Sequence, residues 1–412
     1  MGVRDMHARA EAGARGAGIR SDCWVQVEDA GPGQPKIEIH SRVVALYGDA
    51  IRTLVHSTLH ELGADNLSLT IEDSGALPFT IMARIEAAVH RLQPDNRRVV
   101  LPAVNPASVY ASDRQRIRRS RLYLPGTTPK FFINAGLHGP DAVILDLEDS
   151  VPPAEKDAAR ILVRNALRTV SFYGAEKMVR INQLPRGLDD VRALAPHGVH
   201  TFMIPKVEHA DEVLAVHRLV EDLRRSGQVT GDIYLLPIIE SAKGVINSFA
   251  IASAAASIVG LALGLEDYTT DIGAQRTAEG RESEWAAGQI IVAARAAGVQ
   301  PLASVYSDIG DEQGLYHWAR QQRLLGFDGI GCIHPRQIRI VHDAFAPSEK
   351  EIEQARRIVS AYEEAMASGR GVVAVEGKMI DPPVVARAQR IMRLAMMTTE
   401  RHVGATEAAE TP

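Results

Sequence analysis

From about residue 120 to residue 335 the chain alternates short apolar runs with segments of helical spacing. The runs occupy residues 122–124, 142–147, 178–181, 201–204, 234–239, 258–263, 302–305 and 329–333. A strand that is apolar on both faces belongs in a parallel sheet covered on both sides. The segments between, such as 154–167, 210–223 and 285–297, carry apolar residues at helical intervals. Eight such alternations predict an α/β fold with a closed (β/α)8 TIM barrel, an open doubly wound sheet being the alternative. Beyond the eighth run come an amphipathic helix over 347–367, a turn at Gly369 and Gly371, and the segment 375–396.

A different rhythm precedes the barrel. Residues 23–28 and 36–40 read as strands turning at Gly31, Pro32 and Gly33; 43–62 and 79–92 read as amphipathic helices, with a strand over 67–71 between them. That is a small α+β unit. Pro94, Pro102 and Pro106, followed by Arg114, Arg116, Arg118 and Arg119, mark a linker with a basic end. The expected division is a flexible lead-in over 1–19, the α+β unit over 20–93 and the linker over 94–117. The barrel follows over 118–345, a C-terminal helical extension or lid over 346–398 and a disordered tail over 399–412.

Composition changes this picture little. The chain has 412 residues, 46% apolar and 24% charged, with a formal net charge of −5 that gives no reason to expect a nucleic-acid partner. Two cysteines, Cys23 and Cys332, make neither a disulfide framework nor a zinc site, and a reducing cytoplasm fits them. No apolar run approaches the roughly 20 residues of a membrane span, and the Ala-, Gly- and Arg-rich start lacks the apolar core of a secretory signal.

Polar residues gather where the strands end. Asp146, Glu148 and Asp149 follow the second strand, Arg180 and Asn182 the third, Lys206 the fourth, Glu240 the fifth, and Glu266 and Asp267 the sixth. Tyr306 and Asp308 follow the seventh and His334 the eighth. In a (β/α)8 barrel that end is the active-site face. Single acids there serve as helix caps or solvated loop residues. Glu240 with Asp267 fits a Mg2+ site better, because this hard cation takes few carboxylates and keeps waters for substrate oxygens to displace. Arg180 could clamp a substrate carboxylate, or pair with Glu148 or another acid of the rim. Lys206 is the candidate for a Schiff base, but a metal beside an arginine suits metal-dependent aldol cleavage or condensation of an oxo acid.

Residues 118–398 resemble the citrate lyase β subunit, within the HpcH/HpaI aldolase superfamily. The resemblance rests on RRSRLYLPG (118–126), DAVILDLEDSV (141–151), VRIN (179–182), IPKV (204–207), IIESAKG (238–244), IVGLALGLEDY (258–268), VYSD (305–308), GFDGIGCIHPRQI (326–338) and GKMID (377–381). It implies a (β/α)8 barrel, Glu240 and Asp267 as Mg2+ ligands, and Arg180 on the oxo-acid part of a CoA thioester substrate. It further implies Asp381 as an acid/base group on a lid that reaches a neighbouring subunit, hence a trimer-based homo-oligomer. Tyr123 and the residues after it would lie along the thioester carrier. Thr128 stands where many relatives have arginine, and Lys130 is the candidate to supply that charge.

The N-terminal unit resembles the citrate lyase γ subunit, an acyl carrier protein, through 37–55, 61–77 and 82–91. In that family a serine shortly before an aspartate carries a CoA-derived phosphoribosyl prosthetic group. Here the stretch reads Ile19, Arg20, Ser21, Asp22, with Arg20 at the modified position. Either Ser21 carries the group, or the unit is a carrier relic that serves docking or oligomerisation. The expected activity is cleavage of a 3-hydroxy-3-carboxyacyl thioester, citryl-CoA or a citryl carrier, to oxaloacetate and an acetyl thioester. The alternatives are malyl-CoA or citramalyl-CoA cleavage, and a non-catalytic scaffold that recruits a citrate lyase α-like CoA-transferase subunit.

Overall fold

The computed structural model describes residues 8–31, 34–277, 280–367, 373–375 and 378–410. The lead-in over 1–7, the turn residues Pro32 and Gly33, the Gly369–Gly371 turn, Gly377 and the last two residues of the tail lie outside the described residues.

The N-terminal unit is a four-stranded sheet backed by two helices. Its strands are β1 (Arg9–Gly13), β2 (Cys23–Asp29), β3 (Ile37–Ser41) and β4 (Leu67–Asp73), in the order β1-β2-β4-β3. Its helices are Val44–Glu61 and Pro78–Leu92. Strand β4 buries every second residue, as a half-covered sheet requires. Strand β1 corrects the expected lead-in over 1–19: Arg9–Gly13 pairs antiparallel with β2, and Ala12 is buried.

Eight parallel strands form the second unit: β5 (Ser120–Pro125), β6 (Ala142–Asp146), β7 (Glu176–Arg180), β8 (Thr201–Ile204), β9 (Tyr234–Ile239), β10 (Gly260–Leu263), β11 (Gln300–Leu302) and β12 (Ile330–Cys332). Each strand pairs with the next from β5 to β11, and β12 pairs with β5. The ring closes where the Ala303 N–H donates to the Gly329 carbonyl and the Gly331 N–H to that of Ser304. Ile144, Met178, Met203, Leu236, Ile238 and Leu302 fill the interior, while Leu145, Val179, Phe202, Leu235 and Leu261 face the helices. Apolar residues on both faces produce the uninterrupted runs of the sequence.

The expected linker over 94–117 is a fixed strap. Val100, Ser108 and Ile117 are buried, the Ser108 hydroxyl donates to the Arg168 carbonyl at 2.7 Å, and the Tyr110 hydroxyl donates to that of Ala175 at 2.8 Å. The two units share a dry seam. Every residue of the helix Pro78–Leu92 from Phe79 to Val89 is buried, and Phe79 belongs to the barrel's core. Two charges inside that helix are paired across distance in sequence: Arg164 donates to both Glu86 oxygens at 2.8 Å, and Arg84 pairs with Asp22 at 2.9 Å.

At the other end of the chain, the helices Glu349–Ala367 and Pro382–Glu410 form the extension. The second continues to Glu410, so the tail expected to be disordered from residue 399 is helical up to that point. Arg390 pairs with Asp328, just before β12, which places this helix at the barrel's N-terminal end.

Candidate active site

Strand ends bring the site together. β6 ends at Asp146 and runs on into Glu148 and Asp149; β7 ends at Arg180. The Arg180 Nε and Nη2 donate to the two Asp146 oxygens at 2.7 and 2.8 Å, a bidentate pair. Its Nη1 lies 2.9 Å from Glu148 and 3.3 Å from Asp149, and its guanidinium sits 5.3 Å from the Tyr123 ring centre. Arg180 is thus both paired with the rim acids and directed into the mouth. Burial works against the charges of both Arg180 and Asp146, but their hydrogen bonds and mutual attraction win. The Asp146 carboxyl is held below the usual range and the guanidinium is made still harder to deprotonate.

Lys206 links this group to the fifth and sixth strands. Its φ of +52° is a left-handed conformation that a side chain rarely adopts. Its backbone N–H donates to Glu240 Oε2 at 2.8 Å. Its Nζ lies 3.2 Å from Glu148, 3.5 Å from Asp149 and 3.7 Å from Asp267. Burial opposes the ammonium, but Glu148 and the neighbouring acids outweigh it and raise its pKa. A Schiff-base lysine needs the opposite shift, so the geometry does not support that role.

Glu240 is 6% exposed, and its pKa is pushed up to about 7, first by burial and then by the charges of Asp267 and Glu148 against the helping Lys206 N–H. It is not a helix cap: Ser241 caps the next helix, accepting from the Gly244 N–H. Asp267 is not one either, because it lies inside the helix Leu265–Asp271, whose cap is Gly264. Gly264 is required for a different reason. A Cβ there would meet Glu240 Oε1 at 2.5 Å, so only glycine lets the carboxylate stand against the next strand.

The sequence therefore places Arg180, Glu240, Asp267 and Tyr123 in one cluster. It does not place the other three candidates there. Lys130 lies at the barrel rim against the N-terminal unit. Ser21 is in the N-terminal unit, with φ +55° and its N–H on the Ser74 carbonyl. Asp381 caps its own helix, accepting from the Val384 N–H at 3.2 Å, and among the described residues none of its hydrogen bonds reaches the mouth of its own barrel. Asp146, Glu148, Asp149 and Lys206 are integral to the cluster; in sequence the three acids stood out as the run DLEDS, with Glu148 a candidate partner of Arg180, and Lys206 as the lysine closing the fourth strand.

Five acids (Asp146, Glu148, Asp149, Glu240, Asp267) stand around Arg180 and Lys206, with Lys156 behind the first three, donating to the Leu147 and Glu148 carbonyls. Glu240, raised first by burial and then by the charges of Asp267 and Glu148, is the carboxyl that a bound divalent cation would help to ionise. Among the described residues no three His, Cys, Asp or Glu side chains converge as a closed metal cage. Two carboxylates with room for water and substrate suit Mg2+. Among the described residues, too, no helix is long and apolar enough to cross a membrane.

Comparison with known proteins agrees with this architecture. Residues 119–335 match the HpcH/HpaI aldolase/citrate lyase family, and residues 9–92 match an acyl-carrier family described as the malonate decarboxylase delta subunit. The second match starts with strand β1, not at residue 20. The citrate lyase subunit beta of Leuconostoc mesenteroides is 42% identical over 69% of this chain and 95% of its own length. An L-malyl-CoA/beta-methylmalyl-CoA lyase of Cereibacter sphaeroides is 33% identical over 68% of this chain and 96% of its own. The structure of the CitE protein of Mycobacterium tuberculosis in complex with magnesium, acetoacetate and coenzyme A superimposes with a TM-score of 0.56. It is 34% identical and covers 69% of this chain and 100% of its own. The chain belongs to the HpcH/HpaI aldolase/citrate lyase family and is a carbon–carbon lyase.

Proposed function

We propose that this lyase requires Mg2+ and cleaves a 3-hydroxy-3-carboxyacyl thioester, citryl-CoA first, to oxaloacetate and an acetyl thioester. The observation that carries the reading is the surplus of carboxylates around Glu240. Glu240 and Asp267 would hold the ion, which when bound supplies a Lewis acid that eases deprotonation of the substrate hydroxyl. Arg180, fixed by Asp146, orients the oxo-acid carboxylate and stabilises oxyanion charge as the carbon–carbon bond breaks. Lys206 positions Glu240 through its backbone and keeps Glu148 and Asp149 from crowding the substrate's negative charge. The acetyl thioester departs as an enolate. A proton returned to its carbon balances the one lost from the hydroxyl, and Asp381 of a neighbouring copy is the acid assigned to that step. This assignment also requires a homo-oligomer.

The test is release of oxo acid from citryl-, malyl- and citramalyl-CoA, with and without Mg2+. Mg2+-dependent oxaloacetate from citryl-CoA is expected. Glyoxylate or pyruvate from the other two would favour the second reading, which the malyl-CoA lyase relative supports. No product from any thioester would leave only a scaffold for a CoA-transferase-like partner. For Asp381 the informative change is Asp381→Asn, which keeps the helix cap and removes the acid. Turnover should fall about 10²-fold or more with Mg2+ binding intact, and unchanged turnover would remove Asp381 from the reaction.

A further inference from the structure

A cleft of about 210 Å3 lies between the two units, walled by Gly13, Ile19, Arg20 and Asp22 on one side and by Thr127–Lys130 on the other. Its floor is built. Arg84, 2% exposed, spans the seam with one end on Asp22 and Nη2 donating to the Thr127 carbonyl at 2.8 Å. Gly13, at φ +94°, lets the β1 end fold down there, since a Cβ would strike the Cys23 carbonyl at 2.0 Å. Three charges besides the Arg84–Asp22 pair line the cleft. Glu155 is matched by Arg91 at 3.2 Å. Arg20 and Lys130 are both exposed, and among the described residues neither has an acidic partner. The cleft therefore carries two unspent positive charges in a protein whose formal net charge is −5.

The barrel side of this cleft begins two residues after β5 ends, and β5 carries Tyr123 beside Arg180. A ligand with its reacting end in the barrel mouth and an anionic end at the rim would run from one to the other. The cleft is smaller than the roughly 300–1,000 Å3 of a pocket that takes a whole drug-sized ligand, so it fits one end of a longer molecule. Arg20, at the position where the resemblance expects a covalently modified serine, faces the cleft, whereas Ser21 is not part of its wall. The seam also holds the N-terminal unit still, as a carrier that must swing between partners is not held.

We propose that the docked N-terminal unit no longer carries a thioester but forms half of a binding site for the phosphate end of a free CoA thioester, with Arg20 and Lys130 as its two cations. This rests on the lyase reading above and extends it to a part of the chain that the lyase relatives do not cover.

The test separates the two. Calorimetric titration of the full-length protein with CoA and with pantetheine, which lacks the phosphates, needs no turnover. The wild type should prefer CoA. Arg20→Glu with Lys130→Glu should shrink that preference by about tenfold or more, the worth of one lost charge-assisted contact, with the melting temperature unchanged because both side chains are exposed. An undiminished preference in the double variant overturns the proposal and leaves the lyase reading standing. A preference that depends on these residues in a protein with no lyase activity does the reverse. A prosthetic-group mass on Ser21 in the protein from its own cells would also overturn it.

Discussion

The seam and the barrel mouth use the same kinds of charged side chain to opposite ends. The charges that bridge the seam are matched, Arg84 with Asp22, Arg164 with Glu86, Arg91 with Glu155 and Asp157, and only at the cleft along its edge do Arg20 and Lys130 stand without an acid among the described residues. The first two pairs are buried, the Arg91 group is partly exposed, and together they hold two units in one arrangement. At the mouth five acids face three cations, Arg180, Lys206 and Lys156, and burial together with Asp267 and Glu148 pushes Glu240 up towards neutrality. A balanced set of charges has nothing left to bind. An unbalanced, partly buried set stores unfavourable energy that a ligand can release. The comparison assigns structure to the paired charges of the seam and chemistry to the mouth, and it can be broken at either end.

The largest effect belongs to the mouth. Glu240→Gln keeps an acceptor for the Lys206 N–H, and Asp267→Asn keeps shape, so each removes charge with little else. Metal-assisted charge stabilisation is worth several kcal/mol, so steady-state turnover should fall by about 10³-fold in each. The rise in melting temperature on adding Mg2+ should vanish with it. The seam comes next, and there the loss is of stability. Arg164→Ala strands the buried Glu86, which should cost about 3–5 kcal/mol in chemical denaturation and loosen the N-terminal unit first. If the seam is balanced, replacing Arg164 and Glu86 together by apolar residues should cost far less than that single change. Arg180→Lys is smaller again. An ammonium cannot hold Asp146 bidentately while also reaching substrate, and kcat/KM should drop about 10²-fold with folding intact.

Much of the mouth was legible in the sequence because barrel strands are short, apolar and end on the active-site face. The eight runs became β5–β12, and Arg180, Glu240 and Asp267 needed only a strand end each to converge. The seam was hidden because its charges are far apart in the chain. Arg164 and Glu86 are separated by 78 positions, and a charged residue in an amphipathic helix is ordinarily read as exposed. Strand β1 escaped notice because alanine and glycine carry little strand preference, and only pairing with β2 organises them. The prolines of 94–117 read as a linker with a basic end, and side-chain bonds to the barrel make it a strap. The part Lys206 plays beside Glu240 was hidden for another reason. A positive φ at a non-glycine residue leaves no trace in sequence, yet it turns the backbone N–H onto Glu240.

The gentlest way to sharpen the contrast is pH. Glu240 titrates near 7 in the folded chain against an ordinary 4.5, so between those values the folded protein holds a proton that the unfolded chain has lost. Stability of the metal-free protein should therefore decline as pH rises through that window, by up to about 3 kcal/mol from this group. Mg2+ competes with that same proton. Its affinity, followed by melting temperature or calorimetry, should weaken about tenfold per pH unit below about 7 and level off above it. The seam pairs have no such surplus to titrate. In Glu240→Gln the slope of metal-free stability between about pH 5 and pH 7 should flatten. A slope that survives in Glu240→Gln and disappears in Glu148→Gln would move the seat of the strain to Glu148, whose carboxyl burial also pushes up.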